Sequence, residues 1–320
     1  MLIVQKFGGS SLADLERLRR AAGICADARR KKHDTVVVVS AMGDSTDDLL
    51  DIAHRISPKP SPRELDALLC CGEQQSAALM AIMLRSMGLP ALSFTGWQAG
   101  ICTDSNHGDA RIERIEPDRI RAALSNGFVA VVSGFQGINE TGDLITLGRG
   151  GSDTSAVALA AALGAERCEI YTDVPGIFTA DPRQVKGARL LPEIDFRDML
   201  RLARCGSQVL HPRSVALAME RGVDLRLLSS FEKAPGSAVR FIEDENRPAV
   251  AGVTRDAAKG ILSIVGKGAD KTLERTLIER LASGGITVSP VKASEGCITL
   301  RPERARLYEA MQAVHDFLFS

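Results

Sequence analysis

Leu147-Gly148-Arg149-Gly150-Gly151-Ser152-Asp153-Thr154-Ser155 runs directly into Ala156-Val157-Ala158-Leu159-Ala160-Ala161-Ala162-Leu163. A glycine-rich turn feeding a strong helix former leaves the backbone few options. Its N–H groups gather at a helix N-terminus, where orphan donors and the helix dipole stabilise an anion. Arg149 adds a planar fork suited to a carboxylate or a phosphate. A flexible turn capped by Ser152 or Asp153 fits the same residues.

A second turn of this kind, Phe7-Gly8-Gly9-Ser10-Ser11, follows the apolar stretch Leu2-Ile3-Val4-Gln5 and precedes an amphipathic segment over 12–32. Lys6 at the end of that strand brings a cation to the turn, the charge that a transferring phosphoryl group requires. Neither turn fits G-x-x-x-x-G-K-[ST] or G-x-G-x-x-G, so the Walker and dinucleotide readings are set aside. Two such turns together imply an anionic, phosphorylated ligand held between two helix ends.

Forty basic residues balance forty acidic ones over 320 positions. Nothing in that balance favours nucleic acid or an anionic membrane as a partner, and small molecules are expected instead. The seven cysteines show no C-x-x-C spacing, which argues against a zinc site and for a reducing compartment. No residue is assigned as a metal ligand. The first residues read as a strand rather than a signal peptide, and no continuous apolar run approaches a membrane span. A cytoplasmic protein is expected.

The valine run 36–39 completes a strand, helix, strand unit and suits a parallel strand buried on both faces. Ser40-Ala41-Met42-Gly43-Asp44-Ser45-Thr46-Asp47 then turns at that strand's carboxyl end, where open α/β sheets place ligands. Ser45 and Thr46 also fit a helix cap. Ser61-Pro62-Arg63-Glu64 starts a helix running to about Met87. Inside it, Gly72 beside Glu73 suggests close approach of another group, although an isolated Glu more often lies on a solvated face. Strands are expected at 91–94 and 128–132, a hairpin or lid over 95–111, and a helix over 117–125. The polar loop 172–183 offers binding groups. A helix over 207–220 and a strand over 224–228 close this part. Alternating strands and helices give a three-layer α/β domain with a mainly parallel sheet. From 249 the order changes to strand, helix, strand, strand, helix, a small α+β sandwich.

Taken in order, Val4-Gln5-Lys6-Phe7-Gly8-Gly9-Ser10-Ser11, Ser40-Ala41-Met42-Gly43, Gly72-Glu73, Gly134-Phe135-Gln136-Gly137, 147–154, Tyr171-Thr172-Asp173-Val174-Pro175-Gly176 and Asp181-Pro182-Arg183 resemble the aspartate kinases of the amino-acid kinase fold. The tail resembles one ACT domain. The resemblance implies a catalytic domain over 1–244, an ACT-like regulatory and dimerisation domain over 249–320, and a homodimer or higher homo-oligomer formed through the latter. It implies transfer of a phosphoryl group from ATP, with Mg²⁺, to the side-chain carboxylate of L-aspartate, within amino-acid biosynthesis toward lysine and threonine. Lys6 and Asp153 would be catalytic. Thr46, Glu73, Arg149, Gly150, Gly151 and Ser152 would hold aspartate, with Glu73 on its ammonium and Arg149 on a carboxylate. Lys6, Phe7, Gly8, Gly9, Ser10, Tyr171, Thr172, Asp173, Phe178, Asp181 and Arg183 would hold the nucleotide.

Two departures from the family pattern stand out. Gly206-Ser207-Gln208-Val209-Leu210-His211-Pro212 carries Gln208 where the resemblance leads one to expect a phosphate-contacting lysine. Arg204 would share its face if 204–208 were helical. The tail has room for one ACT module, and Gly266-Lys267-Gly268-Ala269-Asp270 replaces the glycine turn D-x-P-G. A catalytically weak regulatory subunit that keeps the aspartate pocket, and a kinase of the same fold acting on a related amino-acid carboxylate, remain as alternatives.

Overall fold

The computed structural model describes residues 1–319. They form two compact units, Met1–Pro175 with Leu217–Ala234, and Gly176–Ala216 with the residues from Pro235 onward.

The first unit is built on six strands, β1 (Leu2–Phe7), β2 (Asp34–Val39), β3 (Ala91–Phe94), β4 (Val129–Ser133), β5 (Arg167–Thr172) and β6 (Leu225–Ser229). They lie in the order β6-β5-β1-β2-β4-β3, and every pairing among them is parallel. The continuous valines of β2 and the run Val129–Val132 are fully buried, as a sheet covered on both faces requires. Successive strand side chains alternate between faces. Phe7, Val37, Val39 and Val131 pack on one face with Leu18 and Cys25 of helix α1 (Leu15–Arg30) and Met80 and Leu84 of a long helix, Pro62–Ser86. The residues between them, such as Val4 and Val38, point to the other face, against the helix Gly151–Leu163. This is the expected three-layer arrangement.

The helix Pro62–Ser86 opens with proline in its first turn, where the missing N–H costs nothing. Its mean hydropathy reaches 1.3 over an 18-residue window, enough by composition to cross a membrane, but half of that window is packed inside the protein. Asp66 and Glu73 lie within it and are buried in the unit, which marks a core helix. The hairpin expected over 95–111 forms, but reaches further along the chain: Ile101–Thr103 pairs with Ile112–Ile115, beyond the expected end. Gln136–Ile138 and Leu144–Thr146, two short strands the sequence did not disclose, extend it to a four-stranded sheet.

In the second unit Gly252–Asp256, Ile261–Val265, Cys297–Pro302 and Val288–Ser294 form, in that order, an antiparallel sheet. Helices Lys271–Ser283 and Leu307–Phe319 bury Leu277, Leu281 and Met311 against Leu262, Ile264 and Leu300. Asp270 caps the first of them by accepting from the N–H groups of Thr272 and Leu273. Gly252–Asp256 is a strand that the sequence pattern missed, so the tail has one strand more than expected. Helix Phe196–Arg204, capped by Asp195, was also missed. The helix expected from Ser207 begins only at Pro212, because the residue before a proline disfavours helical geometry. Gly206 at φ +117° separates the two helices. Arg204 therefore ends one helix, Gln208 lies beyond it, and the shared helical face expected for them does not exist.

Candidate active site

Strand alternation sends Lys6, the penultimate residue of β1, toward the face covered by the helix Gly151–Leu163, whose first turn carries Asp153. Lys6 Nζ lies 2.6 Å from Asp153 Oδ1, with both side chains largely buried. The carboxylate thus fixes the ammonium at the carboxyl end of the central strand.

The turn before that helix requires its glycines. Gly148 and Gly150 adopt φ +70° and +71°, the left-handed region that a Cβ disfavours. A Cβ on Gly151 would lie 2.8 Å from the Phe135 ring. Gly151 N–H donates to Gly148 O and Thr154 N–H already closes onto Gly150 O. The N–H groups of Ser152 and Asp153 are left without an intrahelical acceptor. Neither side chain caps the helix, since the N-cap is Gly150 and no side chain bonds there; the capped-turn reading is replaced by an open N-terminus. Arg149 is exposed and makes no ion pair among the described residues.

The other glycine turn is partly committed. Gly8 N–H donates to Tyr171 O at 3.3 Å, so of the three N–H groups expected to face a phosphoryl group, one is engaged within the fold. Gly9 packs so closely that a Cβ would lie 2.9 Å from Ala41 O. The Phe7 ring is fully buried and stacks on Tyr171 at 4.7 Å. The Tyr171 hydroxyl donates to Glu169. Both side chains belong to the core, so any nucleotide contact at these two residues falls to their main chain. Thr172 Oγ1 donates to Asp173 Oδ1 at 3.0 Å, and Asp173 is exposed.

Glu73 is 3% exposed, so the solvated-face reading of this residue is wrong. Its Oε1 accepts from Ala41 N–H at 3.0 Å, and its Oε2 is buried with no partner. The close approach expected at Gly72 is real: a Cβ there would lie 2.8 Å from the Ala41 Cβ. Burial pushes the Glu73 carboxyl up to about 7, against the Ala41 N–H and the Lys6 charge. A buried carboxylate with a free oxygen is a receptor for a cationic group such as an ammonium. Thr46 stands half-buried in the first turn of the helix Ser45–Ile56.

One anchor escaped the sequence reading. Asp66, 1% exposed, accepts from Gly108 N–H, pairs with His107 Nδ1 at 2.6 Å and accepts from Thr146 Oγ1 at 2.5 Å. It ties the 105–109 loop to the strand that leads into the Leu147–Ser155 turn. Its seven-residue spacing from Glu73 places both acids on one helix face, a signal that was present in the sequence. Asp66, His107, Phe135 and Thr146 line a cavity of about 550 Å³.

In the second unit Asp181 accepts from the main-chain and side-chain nitrogens of Arg183 and from Gln184. Burial alone would raise its carboxyl, but the Arg183 bonds outweigh it and hold it below the usual range. Phe178 lies in the two-residue strand Ile177–Phe178, paired with Leu190–Leu191. Gln208 is exposed.

Residues 1–229 match the sequence family described as the amino acid kinase family. An aspartokinase of Thermus thermophilus is 47% identical over 290 residues, which are 91% of this chain and 72% of that protein. Aspartate kinase from Synechocystis superposes with a TM-score of 0.69 at 33% identity, covering 99% of this chain and 69% of that one. E. coli aspartokinase III in complex with aspartate and ADP shares the fold at a TM-score of 0.86 and 21% identity, over the full length of both chains. The lysine-bearing strand end, the open helix N-terminus and the buried glutamate therefore sit in a chain that belongs to the amino acid kinase family and, within it, to the aspartokinases.

Proposed function

We infer that this chain transfers the γ-phosphoryl group of ATP to the side-chain carboxylate of L-aspartate, giving 4-phospho-L-aspartate and ADP. The observation that carries the reading is Glu73 Oε2, buried and unpartnered. It waits for an ammonium on the same Ala41 turn that packs against Gly9, next to Lys6. Glu73 binds the aspartate ammonium, Arg149 takes a carboxylate, and Thr46 with the Gly150, Gly151 and Ser152 segment completes the aspartate side. An oxygen of the aspartate side chain then attacks the γ-phosphorus as the bond to the ADP oxygen breaks. A carboxylate is already a nucleophile, so positioning and charge neutralisation suffice. Lys6 holds positive charge at the transferring group, and Asp153 fixes Lys6. Gly9 and Ser10 offer main-chain donors, and Thr172, Asp173, Phe178, Asp181 and Arg183 are assigned to the nucleotide by motif.

Mg²⁺ suits this arrangement as a cation that arrives on the nucleotide, since it is held by one or two carboxylates plus phosphates. Asp153 of the Leu147–Ser155 turn and Asp173 of the 172–183 loop are the carboxylates that would hold it, and no cluster of three metal-ligating side chains occurs among the described residues. When bound, Mg²⁺ neutralises phosphate charge. We assign the protein to the cytoplasm, in keeping with its small-molecule substrates.

The test is ADP release with L-aspartate, hydroxylamine trapping of the acyl phosphate, and a panel of other amino acids. Aspartyl hydroxamate formation is expected. Its absence with every amino acid would leave a regulatory subunit, and its appearance only with another substrate would leave a different kinase of this fold. Arg149→Lys is expected to raise the KM for aspartate with little change in that for ATP, because lysine loses the bidentate fork. A change confined to ATP would move Arg149 to the other ligand.

Gln208 occupies the position where the motif has a lysine. Neutral amide donors hydrogen-bond phosphate oxygens without neutralising them. Gln208→Lys is expected to raise kcat about tenfold, equivalent to roughly 1.4 kcal/mol. No gain, with wild-type turnover already fast, would show that Lys6 and the metal carry the charge alone.

We also propose that 1–244 form the kinase part and 249–320 an ACT-like part that pairs with a second copy. In support, the edge strand Val288–Ser294 is mostly exposed, and exposed edges are templates for pairing. Sedimentation equilibrium should give twice the chain mass; a monomer at micromolar concentration would refute the pairing.

A further inference from the structure

Within the second unit Cys205 and Cys297 bring their sulfurs to 3.6 Å across 92 residues of chain. Both side chains are half-buried, so a small oxidant reaches them. Of the other five cysteines, Cys25, Cys70 and Cys168 are buried, Cys71 is exposed and Cys102 is half-buried. None of these has a sulfur partner among the described residues.

We propose that Cys205 and Cys297 form a reversible dithiol–disulfide site that takes hydrogen peroxide as its oxidant. The scaffold holds both sulfurs in place. Cys205 follows the helix Phe196–Arg204, and its N–H donates to Arg201 O and Leu202 O. That helix is fixed by Asp198, fully buried and paired with Arg247 at 2.8 Å. Gly206 then turns so tightly that a Cβ would lie 2.4 Å from Arg255 O. Cys297 opens its strand in register with Val265, behind a turn at Gly296 on which the Arg201 guanidinium rests. Closing 3.6 Å to a bonded sulfur pair of about 2.05 Å asks for side-chain rotation rather than a shift of either element.

The surroundings suit the chemistry. The Cys297 thiol donating to it, with Ser263 and the charges of Lys259 and Lys292, holds the Cys205 thiol below its usual range against the effect of burial. The same bond and burial push Cys297 up. Cys205 is therefore the attacking thiolate and Cys297 the resolving thiol, the pairing typical of reversible oxidation in reducing compartments. The Cys205 thiolate attacks one peroxide oxygen; the S–O bond forms, the O–O bond breaks, and hydroxide leaves with the displaced thiol proton as water. Cys297 sulfur then attacks Cys205 sulfur, the S–S bond forms, and the sulfenic oxygen leaves as a second water with the Cys297 proton. Two thiols and one peroxide give one disulfide and two waters.

The test uses the full chain, reduced, freed of reductant and treated with a few molar equivalents of hydrogen peroxide before denaturation and alkylation. Alkylatable thiols should fall from seven, the number in the sequence, by two. A Cys205–Cys297 cross-linked peptide should appear, and dithiothreitol should reverse both changes. Cys297→Ser should yield no cross-link but a dimedone-trapped sulfenic acid at Cys205. Cys71→Ser should leave the cross-link intact. Cys205 still fully alkylatable, over-oxidised without a cross-link, or joined instead to Cys71 of a second chain would each overturn the proposal.

Discussion

Lys6→Ala lowers kcat by about 10²- to 10³-fold, the usual cost of removing one preorganised charge stabiliser, while the fold survives. The lysine side chain is largely buried, but it is paired with Asp153 and is not part of the apolar cluster. It stands at the carboxyl end of β1, and the strand's packing rests on Ile3, Val4 and Phe7, all nearly inaccessible to solvent. Steady-state kinetics with saturating aspartate and ATP, beside a thermal melt, separates the two effects. A folded Lys6→Ala protein that turns over at the wild-type rate would remove the lysine from the mechanism.

Glu73→Gln trades affinity for stability. Aspartate binding should weaken by about two orders of magnitude, since truncating one partner of a buried charge pair costs at least about 2–5 kcal/mol. The ligand-free protein should become more stable at pH 8. A carboxyl raised from 4.5 to about 7 is protonated in both states below pH 4.5. Above that the unfolded chain ionises first, so the group's favourable contribution is lost as pH rises to about 7. At 1.36 kcal/mol per unit the full loss is about 3 kcal/mol, which glutamine, always neutral, avoids. The wild-type and Glu73→Gln stabilities should converge below pH 5, measured by denaturant unfolding. Aspartate affinity should likewise fall as pH drops below about 7, because a protonated Glu73 has no charge for the ammonium. A flat affinity profile from pH 6 to 8 would place the ammonium elsewhere.

Much of this was legible because the signals were local. Valine runs gave the buried parallel strands, Ser61-Pro62 gave the start of the long helix, and glycine with a neighbouring cation gave both turns. What stayed hidden depended on tertiary partners. Glu73 reads as a surface residue until the Ala41 turn closes over it. Phe7 and Tyr171 read as part of a ligand motif, yet stack on each other in the core. The helix Phe196–Arg204 was readable from Asp195 as a cap and from the spacing of Phe196, Met199, Leu200 and Ala203; its length of nine residues made it easy to pass over. Asp66 shows the general difficulty: three bonds to distant residues give it meaning, and none of its partners is near in sequence.

The contact between Gly72 and Ala41 has a consequence for how this enzyme can evolve. The position of the Glu73 carboxylate, proposed above to receive the substrate ammonium, depends on how closely a helix approaches a strand-end turn. A single added methyl at residue 72, which touches no ligand, would wedge the helix from the turn and pull Glu73 from its anchoring N–H. If Glu73 receives the ammonium as proposed, specificity for an amino acid is stored in a gap, and the residue that guards it has no side chain to vary.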